Sequence, residues 1–234
     1  MDPRHVDNLD NRAPHREGAD PGRPEGASPS HGLVVHWAAR YDWLVWLLTL
    51  GRERRFRERL LRPARLKRGE SVLDVGCGTG TLAIAARRLV GAEGEVHGVD
   101  ASPEMIARAR RKAERAKANV TFDTAFAQAL PYPDARFDVV LSTVMLHHLP
   151  GKTRQQGVRE MRRVLESGGR LLAVDFVRSS GRRRGLLGHF HRHGRVEPRA
   201  LVELVSGAGL DVVESGAVGA WDLQFVLAER AVGR

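Results

Sequence analysis

Apolar and polar residues follow two alternating patterns from residue 71 onward. Short continuous apolar runs predict buried strands, and longer segments with apolar residues every three or four positions predict amphipathic helices. The predicted strands are Ser71–Val75, Glu95–Val99, Val120–Asp123, Phe137–Ser142, Arg170–Asp175, Leu210–Ser215 and Leu223–Ala228. The predicted helices between them are Thr81–Val90, Pro103–Ala118, Gln155–Leu165 and Pro198–Ala208. This alternation predicts an α/β fold with a doubly wound, mostly parallel sheet, and the last two strands form an antiparallel edge hairpin.

The residues before the first strand divide into two segments. Residues 1–30 are rich in proline, glycine and charge, which predicts a disordered tail because so little apolar surface can be buried there. Residues 31–68 have helical spacing of aromatic and leucine residues and are expected to form a helical lid. Residues 69–232 form the core domain, and the basic segment 178–195 interrupts its strand–helix rhythm as an insertion.

Composition excludes several classes of protein. The 38 Lys+Arg exceed the 28 Asp+Glu, for a formal net charge of +10 among 234 residues, but arginine and alanine abundance gives this surplus little functional weight. The single cysteine, Cys77, excludes an intrachain disulfide and favours a reducing compartment. The apolar run 43–50 is too short to span a bilayer, and no signal peptide is apparent. We therefore expect a cytoplasmic protein, with peripheral contact at a membrane as a second option.

The most informative motif joins the first predicted strand to the helix after it. The sequence Val72-Leu73-Asp74-Val75-Gly76-Cys77-Gly78-Thr79-Gly80 has glycines at alternate positions, which let a ligand approach backbone N–H groups. Asp100 ends the second predicted strand, where a carboxylate suits the two hydroxyls of a ribose. Parallel strands end at the same edge of a sheet, so these features predict a nucleoside site.

These residues resemble the class I S-adenosylmethionine (SAM) methyltransferases, and the UbiE/Coq5-like group, or methyltransferase type 11, most closely. The resemblance extends from about His36 to Ala228. Its motifs are Tyr41-Asp42, Val72–Gly80, Gly98–Ser102 with Met105, Leu130–Asp134 before Arg136–Val140, Leu146–Leu149, Arg163–Leu165 and Gly168–Leu171. The resemblance implies a Rossmann-like, seven-stranded sheet, SAM as methyl donor and S-adenosylhomocysteine as product.

The resemblance also implies roles for individual residues. Asp74 and the turn Gly76, Cys77, Gly78 and Gly80 hold the methionine end of SAM, and Asp100 holds the ribose. The remaining residues contact the adenine or the methionine, or close over the site; they are Ala101, Met105, Phe126, Ala127, Ser142 and Tyr41.

Phe126 is a departure from the family pattern. Related sequences often have an acidic residue at this position, which accepts a hydrogen bond from the adenine amino group. A phenyl ring packs against adenine instead, leaving the backbone of Ala127 to contact the ring edge. A register shift that brings Asp123 or Gln128 to the amino group is the alternative.

Base catalysis has three candidates. His147 and His148 follow the fourth predicted strand at the cofactor edge, and Tyr41 offers a hydroxyl from the lid. The competing interpretation is a packed structural histidine beside a solvated one. The histidines at 189, 191 and 193 lack the spacing and partners of a metal site, so no metal is expected.

We expect a methyltransferase that acts on a small or lipid-like acceptor by O-, N- or C-methylation. The basic insertion and the apolar segment 43–48 suit contact with a membrane surface. The alternatives are a nucleic-acid methyltransferase, which the absence of an Asn/Asp-Pro-Pro-Tyr motif disfavours, and a non-catalytic protein with the same fold. Oligomeric state has no signal in the sequence.

Overall fold

A computed structural model of the protein describes residues 53–176, 198–219 and 222–233. The sheet contains seven strands in the order β3-β2-β1-β4-β5-β7-β6. The strands are β1 (Ser71–Val75), β2 (Glu95–Asp100), β3 (Thr121–Thr124), β4 (Phe137–Thr143), β5 (Leu165–Phe176), β6 (Asp211–Ala217) and β7 (Leu223–Glu229). β1 to β5 pair in parallel, and β7 is antiparallel to both β5 and β6. The predicted doubly wound sheet with an antiparallel edge hairpin is therefore confirmed.

Helices cover both faces of this sheet. They are α1 (Glu53–Leu61), α2 (Thr81–Val90), α3 (Pro103–Arg115), α4 (Gly151–Val164) and α5 (Pro198–Ser206). Single 3₁₀ turns lie at Arg62–Ala64 and Leu146–His148. Helix α3 begins as predicted, since the Ser102 hydroxyl accepts a hydrogen bond from the Met105 N–H at 3.3 Å and Pro103 occupies the first turn.

Two apolar clusters, one on each face, stabilise the sheet. The first joins α1, α2 and α3 to the sheet and includes Leu60 and Leu61, which are 5% and 2% exposed. The second joins α4 and α5 to the opposite face and includes Phe137 and Met161, both fully buried. Buried central strands of this kind are continuous apolar runs, which is why the sequence pattern located them.

Four predicted details were wrong. Helix α3 ends at Arg115, three residues before the predicted end. Gly168-Gly169 does not separate a helix from a strand; it forms an irregularity inside β5, where the pairing shifts between Phe137 and Val139 of β4. Gly168 has φ +77°, a conformation that glycine tolerates within such a bulge. Helix α4 begins at Gly151, four residues before the predicted start, directly after Pro150. Helix α5 ends at Ser206, two residues before the predicted end.

Two arginines fix the loops that flank the sheet. Arg163 donates hydrogen bonds to the carbonyls of Tyr132 and Leu130 at 2.8 and 3.1 Å. Arg170 donates to the carbonyl of Ala64 at 2.6 Å and thereby attaches the segment before β1 to β5. Within the described ranges, no helix is both long and apolar enough to cross a membrane.

The predicted tail 1–30, the residues 31–52 of the predicted lid and the basic insertion 178–195 lie outside the described residues. The domain boundaries therefore stay predictions.

A matched pair of glycines tests how tightly the motif turn packs. Gly80 and Gly69 both have positive φ, of +73° and +86°. A Cβ at Gly80 would lie 2.6 Å from the Phe122 ring and 2.8 Å from Ala109, whereas a Cβ at Gly69 would meet nothing within 4 Å. We expect Gly80→Ala to lower the free energy of unfolding by about 3 kcal/mol and Gly69→Ala by about 1 kcal/mol, measured by urea denaturation. Equal losses would contradict the close packing.

Candidate active site

The register of the sheet brings the predicted site residues to one edge. Val75, the last residue of β1, pairs with Val99 of β2 on one side and with Ser142 of β4 on the other. The turns after these three strands therefore meet at the carboxyl ends of the strands. In open α/β sheets, ligands bind at this position.

Asp100 organises the glycine turn. Its two carboxylate oxygens accept hydrogen bonds from the N–H groups of Gly78 and Ser102, each at 2.9 Å. Gly78 has φ +53°, and a Cβ there would meet nothing within 4 Å, so this backbone faces open space. Each carboxylate oxygen can accept a further hydrogen bond, which leaves Asp100 able to bind a pair of ligand hydroxyls.

Asp74 is a buried carboxyl with an unused acceptor. It is 2% exposed, and its Oδ2 atom has no hydrogen-bond partner among the described residues. Burial raises the pKa of Asp74 to about 7, and the neighbouring Asp100 carboxylate adds to this rise, while the Ala83 backbone N–H opposes it. Burial likewise raises the pKa of Asp100. Two acids of this kind favour a cationic or hydrogen-donating ligand.

The turn after β4, at Val144 and Met145, forms the next part of the site. Val144 has φ +55°, a sterically costly value for a β-branched residue, and its N–H donates to the Val174 carbonyl at 2.8 Å. The turn directs Met145 over the glycine motif, where a Cβ at Gly76 would lie 2.3 Å from the Met145 Cγ. Met145 therefore forms a wall of the site beside the glycine turn.

His147 lies on this β4 side and contacts Asp175 at the end of β5. The His147 Nδ1 atom lies 2.6 Å from Asp175 Oδ1, and the His147 backbone N–H donates to Asp175 Oδ2 at 2.9 Å. Asp175 is fully buried, and the His147 side chain is 12% exposed. The site thus contains a histidine that a buried carboxylate holds in place.

His148 packs against its neighbour. The His147 and His148 ring centroids are 3.8 Å apart. Burial lowers the pKa of His148, and the proximity of His147 lowers it further, while Asp175 raises it. Neutral His148 is consequently favoured near pH 7. His148 contacts the His147 ring, whereas His147 contacts the Asp175 carboxylate.

The residues predicted to surround an adenine lie on the β2 side. Met105 and Ala127 are buried, Ala101 is exposed, and Phe126 has 47% of its surface exposed. The Tyr132 hydroxyl donates to Asp123 at 3.2 Å, so that carboxylate already has a protein partner. Because a carboxylate can accept further hydrogen bonds, Asp123 and Phe126 both stay candidates for contact with an adenine.

Other predicted residues have different environments. Cys77 is buried in the apolar cluster, where burial raises the pKa of its thiol, so it acts as a small packing residue beneath the turn. Ser142 is 1% exposed, and its Oγ atom has no partner among the described residues. Tyr41 lies outside the described residues.

The sequence and the fold of this chain are similar to those of known methyltransferases. A methyltransferase-domain model matches residues 72–169. A demethylmenaquinone methyltransferase of Thermus thermophilus is 41% identical over 140 residues, or 59% of this chain and 62% of the relative. The ubiquinone/menaquinone biosynthesis C-methyltransferase UbiE of Azotobacter vinelandii is 38% identical over 145 residues, or 61% of this chain and 56% of the relative. Residues 72–169 thus match a methyltransferase domain, and the chain is similar in sequence to SAM-dependent methyltransferases of the UbiE-like group.

The aligned stretches span less than two thirds of both relatives. A solved SAM-dependent methyltransferase of Aquifex aeolicus has a TM-score of 0.68 and covers 82% of this chain and 97% of its own. At 23% identity this likeness supports the fold alone.

The residues of this site fit SAM better than a dinucleotide. SAM has an ammonium group and a sulfonium, which suit the unpartnered carboxyl of Asp74, and ribose hydroxyls, which suit Asp100. A pyrophosphate is anionic and would be repelled by both acids. Among the described residues, no group of acidic, histidine or cysteine side chains is arranged to hold a metal ion.

Three features of the site were missed in the sequence. Asp175 was predicted only as the end of a strand, although its position at the same edge as His147 was a usable signal. The cover that Met145 provides and the positive φ of Val144 have no sequence signal, because both depend on how the chain leaves β4.

The raised pKa of Asp74 leads to a prediction on stability. The folded-state pKa of about 7 exceeds the ordinary aspartate pKa of 3.8, so between these values the folded state binds more protons than the unfolded state. Stability due to Asp74 therefore falls as pH rises through this window, by up to about 1.4 kcal/mol per pH unit, and levels off above about 7. We expect Asp74→Asn to remove this loss and to be more stable than the wild type at pH 7.5, with the difference shrinking toward pH 4.5.

Urea denaturation of both proteins across this pH range measures the effect. Asp211→Asn, at an exposed carboxyl on β6, is the control and should leave the pH dependence unchanged. A stability difference between Asp74→Asn and wild type that does not vary with pH would contradict the burial argument.

Proposed function

We propose that this protein transfers the methyl group of SAM to a small, lipid-like acceptor with a quinone-type ring. The observation that carries the donor assignment is the buried carboxyl of Asp74 and the half-buried carboxyl of Asp100, on either side of a backbone turn that faces open space at Gly78. The acceptor class is supported by the two relatives, which are named for methylation of menaquinone and ubiquinone precursors.

Each part of the donor has candidate partners in the site. Asp74 would bind the ammonium group, and the open space at Gly78 would leave room for the methionine moiety. Asp100 would accept from the ribose hydroxyls, while Phe126 and Met105 would lie against the adenine. Bound SAM supplies an electrophilic methyl group on a positively charged sulfur. The residues of the chain bind, align and exclude water, which are the protein's main contributions in cofactor chemistry.

The acceptor side would lie beyond β4. Met145 and Leu149 offer partly buried apolar surface there, beside the polar pair His147–Asp175. An apolar ring with oxygen substituents suits an apolar wall with one hydrogen-bonding group. Because lipid-like acceptors partition into bilayers, a cytoplasmic location with contact at the membrane surface stays our prediction.

Isothermal titration calorimetry and a turnover assay test this proposal. We expect SAM and S-adenosylhomocysteine to bind at micromolar concentration, and chemically reduced demethylmenaquinone in detergent micelles to gain one methyl group, detected by mass spectrometry. No binding of either nucleoside at millimolar concentration would overturn the donor assignment and favour a non-catalytic protein. Binding without methylation of the quinol would overturn only the acceptor assignment.

Asp100→Ala tests the ribose contact. The substitution removes an ionised acceptor for two hydroxyls, and hydrogen bonds to charged groups contribute about 1.5–3 kcal/mol each. We expect the dissociation constant of SAM to rise about 10- to 100-fold in calorimetry, with Asp211→Asn as the unchanged control. Equal affinity in wild type and Asp100→Ala would contradict the assignment of the ribose.

Phe126→Ala tests the adenine contact. Stacking of a base on an aromatic ring contributes about 1–3 kcal/mol, so we expect about tenfold weaker binding of SAM. Leu89→Ala is the matched control, because Leu89 and Phe126 are both 47% exposed and Leu89 lies on α2. A loss of affinity in both variants, or in neither, would contradict stacking on Phe126.

A further inference from the structure

We propose that His147 and Asp175 form a catalytic dyad. His147 Nε2 is the general base that accepts a proton from the methyl acceptor, and Asp175 positions the imidazole for this step. It follows that the acceptor carries an ionisable proton on a ring hydroxyl, which is either the reacting group or conjugated with the reacting ring carbon. This inference rests on the proposed function and specifies the chemistry of its acceptor.

The contacts of Asp175 fix the tautomer of His147. Asp175 Oδ1 lies 2.6 Å from His147 Nδ1 and also accepts from the Phe176 N–H at 2.7 Å, and Oδ2 accepts from the His147 N–H at 2.9 Å. An ionised carboxylate is an acceptor only, so Nδ1 must be the donor. The neutral imidazole then has its lone pair on Nε2, which is the arrangement of a general base.

The packing of the ring leaves few alternative orientations. The Phe176 ring meets the His147 ring edge-on, with centroids 5.6 Å apart and an interplanar angle of 79°. The His148 ring also packs against the His147 ring, with centroids 3.8 Å apart. Only 12% of the His147 side chain is exposed. Among the described residues, Asp175 and His148 are the titratable groups with recorded contacts to this ring.

The position of the pair within the sheet supports a role toward the acceptor. The strand order β2-β1-β4-β5 places Asp100 on one side of the glycine turn and the His147–Asp175 pair on the other. If the ribose lies toward Asp100, the donor's opposite end points toward β4. Met145 lies between the glycine turn and the pair, against Gly76. His147 is therefore on the side where an acceptor approaches the methyl group.

The reaction balances without a further reagent. The acceptor's O–H proton goes to Nε2, and the electron pair left on the acceptor forms the new bond to the methyl carbon, either from the oxygen or from the ring carbon conjugated with it. If a ring carbon is methylated, that carbon then loses its C–H proton to solvent, and those electrons restore the aromatic ring. The electrons of the broken sulfur–methyl bond remain on sulfur as a lone pair. Asp175 stays ionised and stabilises the imidazolium, which releases its proton to solvent after the step.

Nitrogen-15 NMR of the imidazole tests the pair without substrate or cofactor. We expect wild-type His147 at pH 8 to show a protonated Nδ1 and an unprotonated Nε2 in long-range ¹H–¹⁵N spectra, assigned by comparison with His147→Gln. Asp175→Asn cannot place an oxygen at both Oδ1 and Oδ2, so the Nδ1–H tautomer should lose its dominance. A dominant Nε2–H tautomer in the wild type would overturn the proposal, whether or not the protein is a methyltransferase.

Steady-state kinetics with reduced demethylmenaquinone and SAM test catalysis. A general base typically contributes 10²–10⁴-fold, so we expect His147→Gln and Asp175→Asn to lower kcat by about that range. The fall in kcat should exceed any change in the KM for the acceptor, because the proton reaches His147 only as the methyl group is transferred. The calorimetric affinity for SAM should change less than about threefold, since neither residue is assigned to SAM binding. Asp211→Asn is the matched control for loss of a carboxylate. Asp211 lies on β6 opposite Glu229, at the other end of the strands from Asp175, which pairs with Gln224.

Three outcomes separate this inference from its competitors. Wild-type kcat in folded His147→Gln would overturn it. A large loss in His148→Gln with little loss in His147→Gln would transfer the role to His148 and also overturn it. Absence of turnover in the wild type, with SAM bound, contradicts the proposed acceptor, and the NMR result still decides whether the tautomer is as proposed. Thermal melting of Asp175→Asn separates loss of folding from loss of the tautomer, and His147→Gln gives the kinetic result independently.

Discussion

The site depends on three carboxyl groups at one sheet edge, of which Asp74 and Asp175 are buried and Asp100 is half-buried. A buried carboxylate needs compensating hydrogen bonds, or its pKa rises and it takes up a proton. Asp175 has three N–H donors, Asp100 has two, and one oxygen of Asp74 has none among the described residues. Burial accordingly raises the pKa of Asp74 to about 7, and burial also raises the pKa of Asp100.

The number of N–H donors to each carboxyl distinguishes an acid whose contacts are all within the protein from acids that can still bind a ligand. The contacts of Asp175 are used within the protein to hold the turn that carries His147. Asp100 holds the glycine turn through Gly78 and keeps acceptor capacity for a ligand. Asp74 keeps an unused acceptor, which makes it the acid most dependent on a bound cation. The same physical rule therefore gives different environments to three aspartates at the carboxyl ends of β1, β2 and β5.

Much of the fold could be predicted from the sequence because its strands are buried on both faces. The bounds of β1 were predicted correctly, and those of β2 within one residue, since apolar runs and glycine turns are local signals. The irregularity at Gly168 was not predictable, because glycine permits both a turn and a bulge, and the choice depends on pairing with β4.

The candidate site likewise has one part that local sequence spacing predicts and one part that it does not. Asp74, the glycine turn and Asp100 lie within one strand–helix–strand unit, where spacing alone brings them together. Asp175 meets His147 across 28 positions of sequence and two strands, and the contact depends on the backbone at Val144, whose positive φ has no local sequence signal. Contacts of this kind require the register of the sheet and the path of the turn.

The two sides of the site have different consequences for rate. The ammonium and ribose that Asp74 and Asp100 would bind are unchanged by methyl transfer, so their contacts are as strong before the reaction as at the transition state. Binding of that kind raises affinity without accelerating the chemical step. The proton on a ring hydroxyl, in contrast, leaves as the methyl group arrives. Acceleration beyond alignment must therefore come from groups on the β4–β5 side, where His147 and Asp175 are the buried polar pair.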